Sequence, residues 1–282
     1  NKLRELEEEV KKLRDDVRKL ELKNVFEVYW LDDFRRGLVY PGVRVVNGRL
    51  MIHTLSEGPE GYEDFYWNVV TIGAFEKAAS ELVKRLRGGG LTVVVGPRGI
   101  GKSTLTAKVL WDLLSGKAFD AVIRVRELDG EKRERLKTLL DECHGQYSMA
   151  CGSPVILYDP SQPVIFKLPT EAGKAVVGGI EETLKHLSTI AEQAPVIAVL
   201  PSDVVNALSD DARRVIEGKE YTPDLSDEEF ISEVIREYSG CGINEDELKG
   251  IAKSILNFDE GYTLIARLVG EELRHSNCRV EG

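Results

Sequence analysis

The sequence lacks the marks of several protein classes. No apolar run approaches the roughly 18 residues that cross a bilayer, and the charged, helix-like N-terminus does not read as a secretory signal. A cytoplasmic protein without a membrane partner is expected. The chain begins with Asn1 rather than Met, as a fragment or trimmed chain would. There are four cysteines, Cys143, Cys151, Cys241 and Cys278, and none forms a Cys-x-x-Cys pair, so a structural zinc site is not expected. Free thiols in a reducing compartment are the expectation, with disulfides the alternative for a hyperthermophile. Glutamine is nearly missing (Gln146, Gln162 and Gln193) while Glu, Lys and Arg abound, a thermophile-like bias. The histidines, His53, His144, His186 and His275, are scattered with no nucleophile beside them, and read as structural. Positive charge is also short. Lys and Arg number 38 against 48 Asp and Glu, a net charge of -10, which argues against a whole-surface nucleic-acid binder but not against a local basic patch.

What is present suits one large or two modest domains, with 42% hydrophobic residues over 282 positions. Residues 1–24 carry heptads: Leu3, Val10, Val17 and Asn24 fall at a, and Leu6, Leu13 and Leu20 at d. β-Branched residues at a with Leu at d favour a parallel two-stranded coiled coil. Lys2 could then meet Glu7, and Glu9 could meet Arg14, across the seam, while Asp16 would repel Glu21. The alternatives are a lone amphipathic helix packed on its own domain, or an engineered zipper. The helical segment is expected to reach residue 36. Residues 37–71 read as a small β element, with Asn47-Gly48 a hairpin signal inside Val43–His53 and Ser56–Gly61 a loop.

Residues 72–223 alternate between helices and continuous apolar runs. Helices are expected over 74–87, 102–114, 131–143, 171–193 and 203–212. Strands are expected over 91–95, 121–125, 155–158 and 196–200, with a weak one near 215–222. This is the pattern of an α/β fold whose parallel sheet is flanked by helices on both faces. From residue 224 to 282 only helices are expected. Ser226 with Glu229, and Asn244 with Glu247, read as capping boxes, and a third helix follows Gly261.

The chemistry centres on Gly96-Pro97-Arg98-Gly99-Ile100-Gly101-Lys102-Ser103, a complete Walker A pattern between a strand and a helix. Its glycines let the backbone curl so that N–H groups face phosphate oxygens, and the helix start adds its positive dipole end. Lys102 is placed for the β- and γ-phosphates, the Ser103 hydroxyl for magnesium, and Thr104 for the α-phosphate. Asp159 ends the apolar run Val155–Tyr158, the place of a Walker B carboxylate that holds the magnesium shell. The alternative is a strand-end Asp that caps or turns before Pro160. Ser202 or Asp203, at the next strand tip, could sense the γ-phosphate, or Ser202 could cap a helix. Arg213 and Arg214 could reach a neighbour's γ-phosphate, or be a solvated helix end. Arg267 could touch nucleotide from the C-terminal helices, or be a surface arginine.

The phosphate loop through Thr104, Leu157-Tyr158-Asp159 and the helical tail resemble the AAA+ superfamily. The flavour is that of archaeal ATPases and the related origin-recognition and STAND-type NTPases, whose loops often begin Gly-Pro-Arg. Pro223–Glu229 resembles the approach to their lid, and Gly261-Tyr262-Thr263-Leu264 the start of its last helix. The likeness covers residues 72–277. It implies ATP and Mg2+ as ligands, adenine between core and lid, and homo-oligomeric assembly as a ring or filament. A coiled coil ahead of a β element and an ATPase core also resembles the layout of proteasome-activating ATPases. One departure stands out: hydrolysing members often carry Glu where this chain has Pro160. Glu171 and Glu181 lie downstream as possible bases. ATP-driven remodelling of a protein partner, a slowly hydrolysing switch or assembly protein, and a DNA-associated ATPase all remain open.

Overall fold

The computed structural model describes residues 2–58, 61–145, 151–160 and 171–278. A six-stranded sheet forms the centre, in the order β1-β6-β7-β8-β5-β9. Its parallel members are β5 (Leu91–Gly96), β6 (Ala121–Val125), β7 (Pro154–Tyr158), β8 (Val196–Pro201) and β9 (Glu220–Tyr221). The middle strands are mostly apolar because both faces are covered, with Thr92 and Arg124 as the buried polar exceptions in β5 and β6. Val94, Val122, Leu157, Ile197 and Val199 face one core with α3 (Gly73–Arg87) and α4 (Lys102–Ser115). Val93, Ile123, Ile156, Ala198 and Leu200 face the other, with α5 (Gly130–His144) and α6 (Glu171–Ile190). This is the α/β fold the alternation implies.

The N-terminal region departs from the expected single helix. Helix α1 (Lys2–Val25) stops before β1 (Glu27–Tyr29), which adds antiparallel to the β6 edge, and a short α2 (Leu31–Arg36) follows. Three residues are too few to show a period, and β1 exists because β6 offers an open edge. Phe34 of α2 is buried and packs on Trp111 of α4. The apolar seam of α1 is exposed among the described residues: Leu3, Leu6, Val10, Leu13, Val17 and Leu20 are 46–75% exposed. The side chains of Glu21 and Asn24 lie outside the described residues.

A second sheet, β2-β3-β4, is built from Val43–Val46, Arg49–Gly58 and Gly61–Asn68. Asn47 and Gly48 both take positive φ, 49° and 76°, as the Asn-Gly hairpin demands. Most of the span expected as a loop at 56–61 is instead paired strand, with Glu57 opposite Tyr62 and Gly58 opposite Gly61. Residues 59 and 60 lie outside the described residues. This sheet packs on the C-terminal helices α9 (Glu228–Ser239) and α11 (Tyr262–His275). Trp67 lies tilted against Tyr238 with ring centroids 4.9 Å apart, the Asn68 backbone N–H donates to Glu237 Oε1 at 2.8 Å, and the Arg274 guanidinium lies over Phe65 and Trp67.

Four further expectations need correction. The cysteines are not free thiols: Cys143 bonds to Cys151, and Cys241 to Cys278. The second bridge ties the end of α9 to the end of α11, which the linear sequence does not reveal. The helix expected over 203–212 is two, α7 (Ser202–Ala207) and α8 (Asp210–Ile216), parted at Leu208-Ser209, where the Ser209 side chain caps α8. Ser202 is not an N-cap, since Pro201 occupies that position. The cap of α9 is Asp227 rather than Ser226, whose hydroxyl bonds Asp224 instead. Asn244 does cap α10 (Glu245–Leu256), accepting from the Asp246 N–H. No helix among the described residues is long and apolar enough to cross a membrane.

Candidate nucleotide site

The phosphate loop runs from the tip of β5 into α4. Gly99 and Gly101 hold φ of 74° and 100°, in the left-handed region that side chains resist. A Cβ on Gly99 would also lie 3.0 Å from the Cα of Gly261 and 3.1 Å from Leu264. That close approach exists because the start of α11 is seated on the loop. The Leu264 backbone N–H donates to Gly99 O at 2.9 Å, and the Thr263 hydroxyl donates to Ile100 O at 2.9 Å. The segment from Gly261 to Leu264 therefore touches the loop through the carbonyls of Gly99 and Ile100.

Lys102 is buried, 7% exposed, and its ammonium donates to Pro97 O at 2.6 Å. Burial pulls its pKa down to about 8, with Arg98 acting in the same direction and Asp159 and Asp203 against it. An ammonium so desolvated is suited to an anionic ligand. Ser103 donates its hydroxyl to Asp159 Oδ2 at 2.6 Å. Asp159 is 7% exposed, and burial raises its pKa against the hydroxyls of Ser103 and Tyr40 and the charges of Arg124 and Lys102. The sheet order puts β8 between β5 and β7, so the loop and the Asp159 tip flank the β8 tip, where Ser202 and Asp203 begin α7. Asp203 pairs with Arg98 at 3.1 Å.

A cavity of about 280 Å³ adjoins the loop. Gly99, Gly101, Ser103 and Thr104 form its floor. Val69, Val70, Phe75, Phe230, Val234 and Tyr238 supply an apolar wall, and Pro41, Val43, Ile52 and His53 close it from the N-terminal side. Arg267 also lines it, with its guanidinium bonded to Glu271 at 3.0 Å and lying over Tyr238. Arg267 is thus at the site rather than on open surface.

The other arginines are elsewhere engaged. Arg213 donates to the carbonyls of Asn206 and Leu208 at 2.6 and 3.2 Å, closing the end of α7. Its guanidinium serves chain geometry in this conformation. Arg214 is 75% exposed and pairs with Asp211. Glu181 accepts from the Ser209 backbone N–H at 2.6 Å, and the side chain of Glu171 lies outside the described residues. Sequence reasoning missed Tyr40 and Arg124, both interacting with Asp159. A signal for Arg124 was available: a cation inside the buried run Ala121–Val125 has to be partnered.

The donor set fits magnesium only in company. Among the described residues no group of three or more His, Cys, Asp or Glu could hold a metal ion alone. Magnesium usually takes one or two protein oxygens together with phosphates and waters, which is what Ser103 and Asp159 could offer beside the loop.

Fold and site together define an α/β protein with a phosphate loop capped by C-terminal helices, the arrangement that the resemblance to AAA+ ATPases implies. Among solved structures the chain is similar to Cdc6p from Pyrobaculum aerophilum, at 17% identity and a TM-score of 0.43, over 72% of this chain and 62% of that one. It thus spans less than two thirds of that structure's length. It is also similar to domain III of the Thermotoga maritima replication initiation protein DnaA, at 16% identity and a TM-score of 0.43, over 75% and 89% of the two chains. A structure reported for katanin self-assembly matches at 16% identity and a TM-score of 0.42, over 76% and 71%. No protein-family model and no curated protein matches the sequence.

Proposed function

We propose that the chain is an AAA+-like ATPase that binds ATP with Mg2+ at the phosphate loop and couples nucleotide state to an oligomer or a protein partner. The observation that carries this reading is the joining of Ser103 to Asp159 at 2.6 Å beside the buried Lys102. ATP·Mg2+, when bound, supplies a phosphoanhydride bond with its charge partly neutralised. The loop N–H groups and Lys102 would hold the phosphates, Ser103 and Asp159 the magnesium, and the apolar wall from Val69 to Tyr238 the base. Arg267 would meet the phosphates or ribose from the α11 side, and Ser202 would stand at the β8 tip within reach of the γ-phosphate. Arg213 would have to leave two carbonyls to act as a finger, so Arg214, free of such bonds, is the better placed of the pair.

The start of α11 sits on the loop carbonyls, so filling the loop and placing the C-terminal helices are one event. The second sheet is fastened to those helices through Trp67, Asn68 and Arg274, and would move with them. Domain limits at 1–36, 37–71, 72–223 and 224–282 remain a working division, with the qualification that β1 belongs to the central sheet.

Titration with a fluorescent ATP analogue tests the site. Lys102→Ala is expected to weaken binding by roughly 2–3 kcal/mol, the scale of a charged hydrogen bond, and to abolish phosphate release. Equal binding by the variant would refute the reading. Pro160 favours a second reading, a switch that hydrolyses slowly, since no carboxylate follows Asp159 to polarise water. Turnover near the enzyme median of about 10 per second without any partner would exclude it.

A further inference from the structure

A charged cluster links Asp159 to the foot of α1. Arg124 sits in β6, only 8% exposed, opposite Glu27 of β1 in register. Its Nη1 donates to both Glu27 oxygens at 3.1 Å. Its guanidinium carbon lies 3.5 Å from the centroid of the Tyr40 ring, and the Tyr40 hydroxyl bonds Asp159. Tyr29 closes the circuit: its hydroxyl donates to Glu27 and accepts the Tyr40 backbone N–H at 3.4 Å. Arg124 Nε is buried with no hydrogen-bond partner among the described residues. Buried cations are seldom left this way, so the group is incompletely satisfied in this conformation. The segment after β1 also holds the root of α1. Lys23 pairs with Asp33 at 3.1 Å, and Lys19 and Lys23 lie over the Trp30 ring.

We propose that Tyr40 and Arg124 are positioning residues that relay the magnesium occupancy of Asp159 to β1 and the base of α1. The inference rests on the reading of Asp159 as a magnesium residue. Its sign follows from charge. Asp159 attracts Arg124 and draws the Tyr40 hydroxyl. A divalent cation beside Asp159 offsets that attraction and repels the guanidinium, and in a buried site such changes are poorly screened. Arg124 is then left with Glu27, which Arg126 also bonds at 3.3 Å, as its carboxylate partner, so the β1–β6 pairing tightens. Loss of the Tyr40 hydroxyl uncouples the ring from Asp159 while leaving its stack on Arg124.

Amide hydrogen exchange over residues 26–30 of the full chain reads the relay directly. With ATP present, adding Mg2+ is expected to slow exchange there by at least about threefold. Tyr40→Phe should remove that magnesium response, and so should Arg124→Gln, which removes the charge that the divalent cation repels. ATP binding without magnesium, which draws on Lys102 and the loop, is the control that the variants are folded. A β1 segment indifferent to Mg2+ in the wild-type chain overturns the relay, as does an undiminished response in both variants. If ATP binds and Asp159→Asn leaves the effect of Mg2+ on affinity unchanged, the magnesium reading fails and the relay with it. If that effect is lost in Asp159→Asn while wild-type β1 does not respond, only the relay fails.

Discussion

Lys102 carries the sharpest consequence at the scale of single residues. Its burial brings the pKa to about 8, well under the ~10.4 of a free lysine. The charged form is the one that binds phosphate, so ATP affinity should fall as pH rises through about 8, approaching about tenfold per pH unit above it. The same shift means that the folded chain favours the neutral amine. The ammonium therefore costs stability below pH 8, and the cost fades as pH rises toward the unfolded pKa. Affinity measured from roughly pH 6.5 to 9.5 checks this, with Lys102→Arg as a reference that stays charged. A flat wild-type profile across that range would contradict it. The phosphate loop was legible because its glycines and Lys-Ser pair sit at fixed spacing and form a site within one turn of chain. Tyr40 was not legible, because its partners Arg124 and Asp159 reach it only through folding.

At the scale of elements, one carboxylate joins two helices. Asp227 Oδ2 accepts from the Ala74 N–H of α3 at 3.0 Å, and Oδ1 from the Glu229 N–H of α9 at 3.1 Å. Each is an orphan donor of a helix start, and the aspartate also answers both dipoles. At about 1 kcal/mol per cap, Asp227→Ala should cost roughly 2 kcal/mol, lowering Tm by about 4–8 °C for a chain of this size. Asp227→Asn, with one acceptor oxygen, should recover about half of that loss. Thermal unfolding of the three proteins side by side would show it, and an Ala variant melting with the wild type would count against a double cap. The residue was visible in the sequence as one acid among many in Pro223–Glu229, but its second helix lies 153 positions away. Local pattern thus revealed α3, α4 and the buried strands, whose period is set by their own burial. It failed where a distant partner decides, at β1, at the break between α7 and α8, and at the two disulfides.

At the scale of the whole molecule, α1 has an apolar seam that stands exposed among the described residues. Leu6, Leu13 and Leu20 are 56%, 63% and 64% exposed, an arrangement that costs free energy unless another surface covers it. The a and d spacing suits a second copy of the same helix in parallel register, and on the proposed reading the exposed seam would pair two phosphate-loop bodies. With β1 leading straight from α1 into the central sheet, paired helices would pull on the edge strand nearest Asp159. Such a geometry is useful to a protein that turns nucleotide state into assembly. Replacing Leu13, at the centre of the seam, with Glu places two like charges face to face in the pair. Mass in solution, by sedimentation or light scattering, should drop to that of a single chain at micromolar concentration, while ATP binding at the distant loop persists. The measurement belongs in both the presence and the absence of ATP with Mg2+. A Leu13→Glu variant that keeps the wild-type mass would show that assembly runs through the phosphate-loop bodies rather than α1. A wild-type chain that is already a monomer in both conditions would leave the seam to a different protein partner.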